Sequence, residues 1–476
     1  MKERKYLHGN TKGVVRRAES LLEIIAISLI YFVVFRHGYD DVGFHPFFGR
    51  GKFVLMGLYA VISGLFIMNM DGFQFGNLRR FDLVMAQAIG LFAANVITYF
   101  QLCLIANKMI SVVPMLMLML VQCVMIVLFV VIYNASLRWL YKPHDMILVF
   151  GTDNAVTLKL KMDTRRDKYR INKLISVEKG FKAVCEEIVK HDAVIINDVP
   201  AQIRNDLVKF CYNNKIRAYV VPKITDIILR GGENITTFDT PMLMTHGFGP
   251  TVTERFFKRV MDIILCLLAM IVAAPIMIVV AIAIKLEDGG PVFYKQKRAT
   301  IDGKEFDILK FRSMIVDAEK GGFSIPATGK DPRITKVGNV IRACRVDELP
   351  QILNILKGDM SVVGPRPERL EHVQKYGEEI PEFMYRLKVK GGLTGYAQIY
   401  GKYNTTAYDK LRLDLMYIEN YSILLDIKLI LMTIRILFSK ESTEGFEKQQ
   451  ENELLLNEML KEIYEEEEDA MMEQGV

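Results

Sequence analysis

Asp347 and Glu348 stand side by side in RVDELPQILNILKGDMSVVGPRP (345–367), with Arg342 and Arg345 before them and Arg366 after, set between Pro365 and Pro367. Adjacent carboxylates among several cations suit phosphoryl transfer. One acid can attack phosphorus as a nucleophile, the other can hold a divalent cation against a diphosphate, and arginines can take the remaining oxygens. Leu349, Ile352, Leu353 and Leu356 recur at helical spacing, and Gly358 is a natural stop. Pro350 is tolerated only in the first turn of such a helix, which places its start near Asp347. There the macrodipole favours each ionised carboxylate by about 0.3–1 kcal/mol. Helix capping accounts for either acid singly, but not for both in this setting.

A second group of cations lies upstream. Residues 292–301 and 304–314 flank Asp302-Gly303, a strong hairpin signal. Lys310 and Arg312 are two apart on the second strand, so they share a face while Phe311 packs on the other. A phosphate grip and a solvated strand face fit that pair equally well.

These residues sit in a chain of 476 residues, too long for one ordinary core, with 51% hydrophobic content and a formal charge of +6. The charge is mild and no dense basic stripe stands out, which excludes a dedicated nucleic-acid binder and suits an anionic membrane surface. The six cysteines are scattered without a CxxC pair, and the seven histidines are dispersed. That pattern describes neither a zinc site nor a disulfide framework.

Four apolar stretches, at 18–35, 53–70, 83–106 and 109–133, each have the length of a membrane-crossing helix. Lys2, Arg4, Lys5, Lys12, Arg16 and Arg17 precede the first, which predicts a cytoplasmic N-terminus; the loop with Arg36, Arg50 and Lys52 departs mildly from that rule. A fifth apolar stretch, 256–285, has basic residues at both ends and Pro275 in its middle. A helix broken at Ala274-Pro275, dipping into one leaflet and returning, keeps both flanks cytoplasmic; an ordinary span with a tolerated proline is the alternative. Further on, residues 423–438 are apolar yet carry Asp426, Lys428 and Arg435, as a helix in the headgroup region or a core helix with exposed charges would. The segment from Glu441 is acidic, with a helical apolar stripe.

Between these membrane segments, MILVFG (146–151), AVIIN (193–197) and AYVV (218–221) predict strands, with a helix over 180–190, hence a small parallel α/β unit. Its first turn has one glycine where a dinucleotide site needs three. An anchored nucleotide-sugar dehydratase would also want a Tyr-xxx-Lys pair on a helix. Tyr219 and Lys223 lie instead in YVVPK, a strand ending at Pro222.

The runs KFRSM (310–314), DPRITKVG (331–338), DELPQILNILKGDMSVVGPRP (347–367), GGLTGYAQI (391–399) and LDLMYIENYSILLDIKLI (413–430) resemble, in order, the bacterial polyprenyl-phosphate sugar-1-phosphate transferases. These monotopic phosphoglycosyl transferases start capsule, exopolysaccharide and O-antigen assembly. The resemblance implies that Asp347 takes the sugar phosphate from a UDP-sugar with release of UMP, and that undecaprenyl phosphate then resolves the acyl-phosphate. It implies a magnesium ion on Glu348 and phosphate contacts from Lys310, Arg312, Arg342 and Arg366, with the Pro365–Pro367 corner near the nucleotide. It also favours the re-entrant reading of 256–285, a homodimer, and a multi-pass protein of the bacterial inner membrane whose catalytic domain faces the cytoplasm. Tyr396 and Tyr421 replace common tryptophans, Arg345 stands at a usually small position, and Ala299-Thr300 replaces a glycine-containing turn entry. Those departures bear on substrate preference rather than on the acid pair.

The expected fold is a multi-domain membrane protein. A four-helix transmembrane domain spans 1–144 and a degenerate Rossmann-like α/β domain 145–245. An α-rich α+β catalytic domain with the re-entrant helix follows over 246–440, then an acidic helix or tail over 441–476. A non-catalytic membrane scaffold of polysaccharide assembly is the rival that keeps the fold without the reaction.

Overall fold

The computed structural model describes residues 2–39, 50–75, 78, 80–140, 143–151, 154–165, 168–245, 247, 249–316, 318, 331–401 and 405–437. The acidic segment from 441 lies outside these residues. Two compact units emerge, one from Met1–Val221 and one from Pro222–Gln449.

The first unit opens with four long helices, α1 (Lys2–Gly38), α2 (Gly51–Asn69), α3 (Arg80–Ala106) and α4 (Val113–Leu140). Each contains a stretch long and apolar enough to cross a membrane, as the sequence predicts. Ile27, Tyr31, Tyr59, Leu91 and Leu118 fill the space between them, while Phe92, Leu104 and Leu120 point outward, as lipid-facing residues would. Three polar side chains inside the bundle satisfy one another, as apolar surroundings demand. Tyr59 donates to Asn95 Oδ1 (2.7 Å), Asn95 to Gln122 Oε1 (2.9 Å), and Gln122 back to the Tyr59 hydroxyl (2.7 Å), a closed ring joining α2, α3 and α4.

The α/β part follows as β1 (His144–Phe150), α5 (Asn154–Asp163), β2 (Tyr169–Ser176), α6 (Phe181–Ile188), β3 (Ala193–Asn197), α7 (Ala201–Asn213) and β4 (Arg217–Val220). Its four strands are parallel in the order β2-β1-β3-β4. The three expected strands are present; β2 is an addition. Its sequence, YRINKLIS, alternates polar and apolar only loosely because it is an edge strand with Arg170, Asn172 and Lys173 turned outward. Tyr219 lies on β4 and Lys223 beyond it, before the next helix, so the two never share a helical face.

Residues 222–245, expected with the α/β part, belong to the second unit. Helix α8 (Ile224–Arg230) buries Ile224 and Ile227 in the core that holds Leu411 and Leu415, and the hairpin β5 (Glu233–Thr237)–β6 (Thr240–Met244) comes next.

Helix α9 runs over Val252–Asp288, with Thr251 and Glu254 forming a capping box and Gly289 closing it in the left-handed region. Helical backbone continues through Ala274 and Pro275, so the proline does not end the helix; it removes one N–H donor from the ladder. Near the start of α9, Arg259 donates to the carbonyls of Ile355 (2.5 Å) and Leu356 (2.7 Å). Asp262 accepts from Ser361 Oγ (2.7 Å) and the Val362 N–H (3.1 Å), and Lys258 pairs with Asp426 (2.6 Å). Along its length Cys266 and Ala273 pack with Phe306, Ile308 and Ile352, and Ile284 packs with Phe311 and Ile341. At its far end Asp288 pairs with Arg312, and Glu287 accepts from the Lys336 N–H (2.8 Å). One edge of α9 is thus bound to the second unit from end to end, while Ile271, Val272, Ile278, Val279 and Leu286 are exposed.

The remaining elements are β7 (Phe293–Ala299) antiparallel to β8 (Glu305–Phe311), α10 (Lys336–Ala343), α11 (Gln351–Lys357), β9 (Ser361–Val363), α12 (Leu370–Glu379), β10 (Gly392–Thr394), α13 (Tyr396–Tyr400), α14 (Ala407–Glu419) and α15 (Ile423–Leu437). The hairpin turns at Asp302 and Gly303, both with positive φ, as the Asp-Gly pair predicts. In α15 the charge expected to face headgroups does otherwise: Asp426 is fully buried, bonded to Lys258 and to the Tyr417 hydroxyl (2.8 Å), while Leu424 and Ile434 are exposed.

Candidate active site

Arg345 takes a left-handed conformation (φ 54°) at the end of α10 and turns the chain into a single 3-10 turn, Val346–Glu348. Pro350 then caps α11, which stops at Gly358 (φ 103°). The acid pair therefore precedes the regular helix by one turn, between α10 and α11, with Val346 and Leu349 anchored among apolar neighbours beneath it.

Glu348 is the centre of the charge cluster. Its Oε1 accepts from Lys310 Nζ on β8 (2.8 Å) and from Arg366 Nη2 (2.8 Å). Burial alone would raise its proton affinity, but Arg366 and Lys310 overcome that and hold the carboxyl well below its ordinary range. Asp347 goes the other way. Burial pushes its carboxyl above the usual value, with Lys310 and Arg342 only partly opposing. Among the described residues it makes no salt bridge. Lys310 is itself depressed by burial, with Glu348 restoring part of its charge preference. Two neighbouring carboxylates are thereby driven apart in proton affinity, which separates an acid fixed as an anion from one whose charge is poorly compensated.

The structure unites Glu348, Lys310 and Arg366 directly, and it places Lys310 and Arg342, the latter on the last turn of α10, close enough for their charges to be felt by Asp347. Pro365 and Pro367 are buried and aim the half-exposed Arg366 side chain at Glu348. Arg312 behaves differently. The strand ends at Phe311, so the shared-face expectation lapses one residue later, and Arg312 packs against Gly290 and pairs with Asp288 instead of joining the acids. Ala274 and Pro275 lie within α9, away from any bond to the cluster. A cavity of about 380 Å³ lined by Leu370, Val373, Gln374, Met384 and Leu387 includes neither acid.

A buried charge network behind the corner escaped sequence reasoning. Glu368 accepts from Lys410 (2.7 Å), and Arg386, 2% exposed, faces Glu368 (3.5 Å) and pairs with Asp414 (2.8 Å). Its members are spread from 368 to 414 and follow no periodic pattern, so only Asp414's place inside LDLMYIEN hinted at a role. Burial would raise the Glu368 carboxyl, but Lys410 and Arg386 hold it down at about 2. That preference for the anion contributes stability at neutral pH that is lost as pH falls from near 4.5 toward 2. Glu368→Gln is expected to cost about 3 kcal/mol at pH 7. In thermal unfolding the gap to wild type should narrow steadily below pH 4.5.

Among the described residues no group of three or more His, Cys, Asp or Glu side chains could cage a metal. Magnesium does not require one, since it keeps waters and commonly takes one or two carboxylates plus substrate phosphates. The Glu348 carboxylate, an oxygen donor beside Asp347, fits such an ion, completed by a diphosphate.

The pattern of the bacterial sugar transferases matches residues 253–440. Over 193 residues, 40% of this chain, the sequence is 42% identical to an Aeromonas hydrophila UDP-N-acetylgalactosamine-undecaprenyl-phosphate N-acetylgalactosaminephosphotransferase. It is 38% identical over 198 residues, 40% of this chain and 74% of the relative, to a Caulobacter vibrioides UDP-glucose:undecaprenyl-phosphate glucose-1-phosphate transferase. A Bacillus subtilis protein described as a putative undecaprenyl-phosphate N-acetylgalactosaminyl 1-phosphate transferase is 50% identical over 137 residues, 28% of this chain and 76% of the relative. The chain spans about half the length of other relatives: 45% of the Aeromonas protein, and 44% and 51% of glucose-1-phosphate transferases from Escherichia coli and Klebsiella pneumoniae. With the motif order, the acid pair between its cations and these matches in agreement, the chain belongs to the bacterial sugar transferase family.

Proposed function

We propose that this chain transfers a sugar 1-phosphate from a UDP-sugar to undecaprenyl phosphate, giving undecaprenyl-diphosphate-sugar and UMP. The observation that carries this reading is the divergence of the acid pair, with Glu348 pinned as an anion by Lys310 and Arg366 and Asp347 left as the poorly compensated neighbour. An Asp347 oxygen attacks the sugar-bearing phosphorus and the diphosphate bond breaks, releasing UMP and leaving an aspartyl-phosphosugar. An oxygen of undecaprenyl phosphate then attacks the same phosphorus, and the Asp347 carboxylate leaves. Lys310, Arg342 and Arg366 take phosphate oxygens during both steps. Magnesium held by Glu348 would supply charge neutralisation on the diphosphate.

The lipid acceptor requires the site to sit at a membrane surface, and α9 supports this. It has 37 residues, about 55 Å of helix, more than the roughly 30 Å of a bilayer core. Both its ends are bonded to one folded unit, a placement that a straight crossing could not satisfy. We infer that it enters the inner membrane from the cytoplasmic face, bends about Ala274-Pro275 and returns, and that the catalytic domain stays cytoplasmic. In this reading the β1–β4 sheet is a Rossmann-like domain without a dinucleotide fingerprint, and the protein works as a homodimer in starting capsule, exopolysaccharide or O-antigen synthesis.

The test is UMP release by purified protein given magnesium, undecaprenyl phosphate and a panel of UDP-sugars. Release with one donor is expected. Silence across the panel, in folded protein reconstituted with lipid, would replace the enzyme with a membrane scaffold.

A further inference from the structure

We propose that Arg386 and Arg298 are positioning residues that hold Arg366 in place for the transfer, acting through the backbone of the Pro365–Pro367 corner. The inference rests on the transferase reading of the acid pair. Two prolines deprive the corner of two of its three N–H groups, so its carbonyls carry most of the ties. All three are taken. The Pro365 carbonyl accepts from the Gly392 N–H (2.8 Å), that of Arg366 from Arg386 Nη2 (3.0 Å), and that of Pro367 from Arg298 Nη1 (3.2 Å). With all three carbonyls held, the Arg366 side chain is directed toward Glu348, which it reaches.

Arg386 is held as firmly as it holds. Asp414 on α14, 1% exposed, pairs with its guanidinium, Glu368 faces it, and the Phe383 ring lies 4.8 Å beneath. A buried ion pair is a poor source of stability, since an apolar pair of similar volume often does as well. Its shape is another matter: the Nη2 that donates to the Arg366 carbonyl also lies 2.8 Å from Asp414 Oδ2, and Nη1 lies 3.5 Å from Glu368 Oε1, so one rigid planar group spans the carbonyl and two carboxylates, which a lysine ammonium does not reproduce. Arg298 comes from β7, a separate element, and is only partly buried, with Gln296 Oε1 on its other nitrogen (2.6 Å). The corner is therefore clamped from both sides.

A double-mutant cycle tests this with the full chain and the UMP-release assay. Arg386→Lys is expected to lower kcat/KM for the donor on the order of tenfold or more when Arg366 is present, since small misplacements of a substrate-holding group are costly. In an Arg366→Ala background the same change should cost no more than about twofold, the margin within which independent sites combine. Arg298→Lys should repeat the pattern and, at its more exposed site, leaves the fold intact if Arg386→Lys does not. An equal loss in both backgrounds would assign both arginines to general stability and overturn the proposal. Absence of UMP release from the wild type would instead overturn the transferase reading, so the two failures are distinguishable.

Discussion

Asparagine at position 347 is expected to lower UMP release on the order of a thousandfold or more, since a nucleophile has no substitute within the site. The same change should not harm the fold. Burial raises the Asp347 carboxyl above its ordinary range, so the folded protein disfavours the ionised form. A raised carboxyl is a penalty that grows as pH rises through the folded value, and the amide never pays it. Asp347→Asn should therefore unfold at the same temperature as wild type or above it at pH 7. A lost fold together with lost activity would remove the case for a nucleophile. With labelled donor, wild type should also retain label on protein through denaturation, and the variant should retain none.

Glutamine at position 348 should behave in the opposite way toward stability. Glu348 is held as an anion by two cations, and its neutral replacement leaves Lys310 and Arg366 facing each other across a partly buried site. Removing one partner of a fully buried pair costs about 3–5 kcal/mol, and the exposure of Arg366 discounts this to roughly 1–3 kcal/mol. Activity should fall on the order of 100–1000-fold, as when one preorganised electrostatic group is lost. Magnesium needed for half-maximal rate should rise as well. Adjacent carboxylates of nearly identical chemistry thus give opposite signs in a melting experiment. Equal melting shifts for the two variants would show that the asymmetry of their surroundings is not felt.

Much of this site was legible in the order of residues. Pro350 and Gly358 bracket α11, so the acids had to lie at its entrance, and Asp302-Gly303 announced the hairpin that delivers Lys310. Legibility failed where tertiary contacts decide. The two-residue periodicity that placed Arg312 beside Lys310 holds only while the strand lasts, and β8 stops at Phe311. Arg386 and Asp414 lie 28 residues apart on different elements, and nothing local marks either as a partner of the corner. The edge strand β2 hid for a related reason, since only its inner residues obey a burial pattern. Asp426 misled in a different way: a charge in an apolar helix suggested solvent, while its cation waited on α9, 168 residues earlier.

That spacing governs the order of assembly. When α9 leaves the ribosome, the partners of its bonded edge do not yet exist. Arg259 meets Ile355 across 96 residues, Asp262 meets Ser361 across 99, and Lys258 meets Asp426 across 168. At roughly 5–20 residues per second, the helix waits on the order of ten seconds with those charges unpaired. During that interval nothing from the catalytic core guides it. Until then its outer apolar face and its basic and acidic start are left without their later partners, and the folded unit is completed around a helix already formed.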